Sequence, residues 1–111
     1  MTTLSTHVLD TMHGTPAAGM AVVLRDGAGQ EVARGITDAD GRCPGLVPGP
    51  LSPGRHALAF AVADYFRARG VALPEPPFLD IVTIAFGLSD AGHYHVPLLV
   101  APYGYSTYRG S

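Results

Sequence analysis

With 111 residues the chain has room for one domain of ordinary size, able to bury roughly two-thirds of the surface it exposes when unfolded. It is 47% hydrophobic and only 14% charged, which excludes a disordered chain and suggests that a partner subunit covers part of the surface. A net charge of −2 with no basic cluster leaves a phosphate backbone nothing to bind, so nucleic acid is set aside.

The lone Cys43 excludes an intrachain disulfide framework and a multi-cysteine metal site, and it reads as a small buried hydrophobe. No apolar run approaches the roughly 18 residues of a membrane span. Met1-Thr2-Thr3-Leu4 has neither the basic region nor the apolar core of a signal peptide, so the cytoplasm is the expected location.

Short alternating segments separated by Gly, Pro and Asp clusters predict an all-β sandwich. Thr6-Asp10 alternates and runs into the small-residue loop TMHGTPAAG. Met20-Arg25 and Glu31-Thr37 flank DGAGQ, whose Asp26-Gly27 and Gly29 signal a hairpin. Asp38-Gly41 is a second tight turn. Pro44-Gly54 carries four prolines, which remove four backbone donors, and is expected to be a surface loop with at most a very short strand. In RHALAFAVAD, Leu58, Phe60 and Val62 share a face and Ala57, Ala59, Ala61 and Ala63 the other. Asp64-Gly70 reads as a short helix, with Asp64 as N-cap and Gly70 as the stop. FLDIVTIAFGL is the strongest strand, with Val82, Ile84 and Phe86 on one face. HYHVPLLVAP and YGYSTYRGS close a chain with no internal repeat, and 1–111 is expected to be a single domain.

The residues able to carry chemistry lie near the two ends. Period two places Tyr94, Val96, Leu98 and Val100 on a core face and His93, His95, Pro97 and Leu99 on the other. An apolar patch containing imidazoles reads as a contact surface or a pocket wall. Near the N-terminus, Leu4, Thr6 and Val8 share one face, while His7 and Leu9 share the opposite one. In the last strand Gly104, Ser106, Tyr108 and Gly110 share a face, leaving space beside one tyrosine. Histidine suits hydrolytic work because its ordinary pKa lets it accept and return a proton near neutrality. His13, His56 and His93 read first as satisfied structural residues; His7 and His95 stand open between that and catalysis. His93 and His95 with His7 would also permit a three-imidazole zinc site with an open position, although no Asp or Glu is placed to support the imidazoles. Arg42 reads first as a solvated turn residue and second as a forked donor for a planar, carbonyl-rich ligand. No Gly-x-Ser-x-Gly elbow, Cys/His dyad or P-loop is present.

Four stretches in order make the chain recognisable: Ser5-Thr6-His7-Val8-Leu9-Asp10, Thr37-Asp38-Ala39-Asp40-Gly41-Arg42, His95-Val96-Pro97-Leu98-Leu99 and Tyr108-Arg109-Gly110-Ser111. Together they resemble the transthyretin-related 5-hydroxyisourate hydrolases across essentially the whole chain. The hormone-carrying transthyretins share the PYGYST-like strand but lack the closing Tyr-Arg-Gly-Ser and histidines at the positions of His7 and His95. The resemblance implies a transthyretin-like β-sandwich of two four-stranded sheets with one short helix. It also implies a homotetramer with active sites at the dimer–dimer interface, and ring opening of 5-hydroxyisourate in urate degradation. By position it assigns catalysis to His7, Arg42, His95 and Ser111, with Arg42, Tyr108, Arg109 and Ser111 contacting substrate and no cofactor. The alternative is a non-catalytic transthyretin-like binding protein for a small aromatic ligand.

Overall fold

Alternation of buried and outward-facing positions fixes how β1, β5 and most of β7 sit. The computed structural model describes residues 2–46, 49–89 and 92–110. In chain order its elements are β1 (Thr2–Asp10), β2 (Thr15–Pro16), β3 (Ala21–Asp26), β4 (Glu31–Ile36), β5 (Gly54–Ala61), α1 (Val62–Ala68), β6 (Ile81–Leu88), β7 (Gly92–Ala101) and β8 (Gly104–Thr107). They form two four-stranded sheets, ordered β2-β1-β7-β8 and β4-β3-β5-β6, with the one short helix packed at their side. The all-β sandwich expected from the sequence is therefore the architecture found.

Between the sheets, Leu4, Val8, Leu98 and Val100 meet Val22, Leu24, Leu58, Phe60 and Val82, with Phe66 of the helix closing one side. Burying each large side chain contributes roughly 1.5–3 kcal/mol relative to leaving it in water. The alternation of β5 is as expected, with Leu58 and Phe60 fully buried and Ala57, Ala59 and Ala61 half-buried. Cys43 is buried in this core, its thiol pushed up by burial and then by the charge of Asp38. The reading of Cys43 as a structural hydrophobe fits that environment.

Several boundaries differ from expectation: β1 begins at Thr2, ahead of Thr6, and the TMHGTPAAG loop holds the two-residue strand β2. The helix starts at Val62, so Asp64 lies inside its first turn and is not the N-cap. Strand β5 feeds directly into it, and the Asp80 carbonyl does the capping by accepting the Val62 and Ala63 N–H groups at 3.1 and 3.0 Å. The C-terminus behaves as read. Gly70 takes φ +82°, its N–H bonds to the Arg67 carbonyl, and Val71 N–H bonds to that of Phe66. The last strand was expected to run through Tyr108 and Gly110, but β8 stops at Thr107. There the Thr107 hydroxyl donates to the Pro97 carbonyl at 2.7 Å. The backbone ladder lapses for two residues and resumes in the same register, with Gly110 opposite His95.

Candidate functional site

Strands β1 and β7 are parallel neighbours at the centre of their sheet, paired in register from Thr2–Gly92 to Asp10–Val100. Parallel pairing sets same-face residues side by side. The outward row is consequently Thr3 beside His93, Ser5 beside His95, His7 beside Pro97 and Leu9 beside Leu99. Strand β2 pairs only with Leu9 and Asp10, and β8 only with Leu98 to Ala101. Both flanks of the histidine end are thus left to irregular chain: the 38–42 turn beside β1, and Gly110 beside β7.

On the β1 flank, the Asp38 carboxylate accepts N–H bonds from Asp40 and Arg42 at 2.9 and 3.0 Å and winds the turn. Gly41 completes it at φ +77°, where an added Cβ would stand 2.3 Å from the Val8 carbonyl oxygen. Val8 N–H donates to the Gly41 carbonyl at 2.8 Å, and a lone antiparallel bridge pairs His7 with Arg42. Only glycine lets the turn lie this close, and that closeness brings exposed Arg42 to the row. The His7 Nε2–H donates to the Asp40 carbonyl at 2.8 Å, which leaves Nδ1 of the neutral ring as the acceptor.

On the β7 flank, Gly110 N–H donates to the His95 carbonyl at 2.7 Å. A Cβ at Gly110 would lie 2.5 Å from Cδ2 of the His95 ring. The closing glycine is therefore the seat of that imidazole. His95 Nδ1 hydrogen-bonds the Ser5 hydroxyl at 2.8 Å. Partial burial depresses the His95 pKa first, and the positive charges of Arg42, His7 and His93 depress it further. Below-ordinary basicity keeps the ring neutral at pH 7, which a general base requires. A concavity of about 190 Å³ opens beside this row, lined by Ser5, Arg42 and Pro44 among others.

The structure thus gathers His7, Arg42 and His95, three of the four residues that the family resemblance assigns to catalysis; the fourth, Ser111, lies outside the described residues. Tyr108, two residues before Gly110, is exposed. Arg109, expected near the imidazoles, instead holds its guanidinium 4.2 Å over the ring of Tyr94, on the inward face of β7. The alternation that points Gly110 at His95 turns its neighbour away. Among the described residues no group of three or more His, Cys, Asp or Glu is gathered to hold a metal ion. The three-imidazole arrangement does not form, because the Ser5 hydroxyl lies between His93 and His95, bonded to both at 2.8 Å. Sequence reasoning read Ser5 only as part of a motif and His93 as structural; which residues lie side by side depends on the β1–β7 pairing, which no local pattern announces.

The family profile described as "HIUase/Transthyretin family" matches residues 4–110. A protein of Mesorhizobium japonicum named 5-hydroxyisourate hydrolase is 52% identical, over 97% of this chain and 91% of that one. Among solved structures, Klebsiella pneumoniae 5-hydroxyisourate hydrolase aligns with a TM-score of 0.86 at 39% identity, covering 98% of this chain and 99% of that one. Sea bream transthyretin, solved with thyroxine, aligns with a TM-score of 0.83 at 27% identity, covering 96% of this chain and 93% of that one.

Proposed function

Because this chain belongs to the HIUase/Transthyretin family, we propose that it hydrolyses 5-hydroxyisourate to 2-oxo-4-hydroxy-4-carboxy-5-ureidoimidazoline in urate degradation. One observation carries the reading: a half-buried imidazole, His95, is kept below its ordinary basicity beside the guanidinium of Arg42 and a second imidazole, His7. In this mechanism His95 takes a proton from water as the water attacks a ring carbonyl. Arg42 orients the planar substrate and stabilises the oxyanion that forms. His7, fixed by the Asp40 carbonyl, presents Nδ1 to the same space as a hydrogen-bond partner for substrate or water. The proton on His95 passes to the departing ring nitrogen, the C–N bond breaks, and the product leaves as a carboxylate after losing the water's second proton. A positioned base contributes about 10²–10⁴-fold. We assign Ser111 and Tyr108 to substrate contact, and residues 1–111 to one domain built on the single core described above.

The working form is a homotetramer with its sites at the dimer–dimer interface. Strands β6 and β8 are each an edge of their sheet, and they carry exposed Ile81 and Tyr105, with Phe78 and Tyr108 close by in the chain. Unpaired edges with apolar side chains favour pairing with a second copy. Leu9 and Leu99 continue the histidine row outward as an apolar surface for a second contact.

The test generates 5-hydroxyisourate in situ from urate with urate oxidase and follows the decay of its ultraviolet absorbance. Decay well above the spontaneous rate in proportion to added protein is expected. Decay at the spontaneous rate would overturn the reading and leave the non-catalytic binding protein.

A further inference from the structure

Behind His95 runs an unbroken line of hydrogen bonds that the hydrolytic roles above do not use. His95 Nδ1 meets the Ser5 hydroxyl at 2.8 Å, the same hydroxyl meets His93 Nε2 at 2.8 Å, and His93 Nδ1 meets the Thr3 hydroxyl at 2.7 Å. The register of the parallel pair builds this line, since Thr3, Ser5, His93 and His95 occupy two successive rungs of one face. Its inner end is half-buried beside Arg42 and His7; its outer end, His93, is exposed.

A hydroxyl has one proton, so Ser5 donates to one imidazole while accepting from the other. Two arrangements satisfy every group. In the first, His95 Nδ1–H donates to Ser5, Ser5 donates to His93 Nε2, and His93 Nδ1–H donates to Thr3; His95 Nε2 is then bare and able to accept a proton. In the second every bond is reversed, and His95 Nε2 carries a proton. We propose that Ser5 and His93 form a proton relay behind His95, giving the proton taken from water a second residence at the solvent-exposed imidazole. The hops balance. Water gives a proton to His95 Nε2, His95 Nδ1–H passes to Ser5 Oγ, and the Ser5 proton passes to His93 Nε2. His93 is then the imidazolium and releases its Nδ1 proton to solvent as Thr3 turns its hydroxyl to donate. Running the hops backward returns a proton to His95 for the departing nitrogen.

The relay relieves an electrostatic difficulty in the site. A positive charge on His95 faces Arg42 and His7 as well as His93; moving the charge out to His93 takes it from beside Arg42 toward water, where it is screened. Ser5 and His93 are accordingly positioning residues that act through His95.

This inference rests on the hydrolytic reading, and its test separates the two. The intact protein is compared with Ser5→Ala, Ser5→Thr, His93→Ala and His93→Gln. Ser5→Ala and His93→Ala should lower kcat about tenfold with KM nearly unchanged, the loss expected when a bond aligned in the transition state is removed. Ser5→Thr, which keeps the hydroxyl on a strand-favouring residue, should restore it. Imidazole added to the solution should rescue His93→Ala, because the position is open to solvent, whereas His93→Gln, which keeps a hydrogen bond but has no basic nitrogen to take up a proton, should stay low. Rescue by Gln, or kcat unchanged in both alanine variants, would overturn the relay and leave a structural contact. An inactive parent protein would instead overturn the hydrolytic reading.

Discussion

The two ends of β1 carry nearly the same residue types and put them to opposite uses. At the Asp10 end, His13, Tyr65 and Arg69 converge on one carboxylate whose side chain is fully buried. Asp10 accepts from His13 N–H at 2.9 Å, His13 Nδ1 at 2.6 Å and the Tyr65 hydroxyl at 2.7 Å, with Arg69 at 3.7 Å. Burial alone would raise the Asp10 pKa, but the bonds from His13 and Tyr65 outweigh it and hold the carboxyl below its ordinary value. Tyr65 moves the other way, raised by burial and by its bond to that carboxylate. At the His7 end, an imidazole pair and a guanidinium meet with only hydroxyls and backbone carbonyls among their described partners. Burial first, and then the positive charges of Arg42, His7 and His93, push His95 toward its neutral form. A buried carboxylate turns histidine and arginine into a clasp between strand, loop and helix; burial beside other cations instead leaves His95 a nitrogen free for chemistry.

Substitutions at the two ends should therefore separate activity from stability. The largest effect is expected at the site: His95→Asn should lower kcat/KM by about 10²–10⁴-fold while leaving the melting temperature close to that of the parent. Comparable loss of both would place His95 with the clasp. Next, Asp10→Ala strands a buried tyrosine hydroxyl and an imidazole, and should cost about 3–5 kcal/mol in denaturant unfolding. Turnover per folded molecule should stay near the parent value, and a collapse in turnover at unchanged stability would erase the contrast. Tyr65→Phe removes one hydroxyl from the same carboxylate and should cost about 1–2 kcal/mol. The smallest effects are those of pH. Because the folded pKa of His95 lies below its ordinary 6.5, the unfolded chain binds more protons in that window. Acidification through it should slightly reduce stability and should cut kcat/KM along a limb whose midpoint lies below 6.5. Asp10 acts lower: its contribution is complete above its ordinary 3.8 and fades as pH falls through the depressed folded value. A kinetic limb centred above 6.5 would contradict the electrostatic account of His95.

Much of this division was legible in the residues. Period two in Gly92–Val100 separated the imidazoles from the core face, and the small groups around DADG marked the turn that carries Arg42. The four ordered stretches pointed to the family. What local pattern does not encode is pairing. That β1 and β7 are parallel neighbours, and so bring Ser5 between His93 and His95, follows from how the whole sandwich closes. The helix start was misplaced because a carbonyl distant in sequence, that of Asp80, replaces a side-chain cap. Nor does local pattern encode that Arg109 lays its guanidinium over Tyr94 while the glycine beside it packs on His95.

The most direct test of the central claim places the parent, His95→Asn and Asp10→Asn side by side, at matched concentrations of folded protein, on freshly generated 5-hydroxyisourate. The account predicts rapid decay of the absorbance with the parent and with Asp10→Asn, and decay near the spontaneous rate with His95→Asn. Rapid decay with His95→Asn would contradict it.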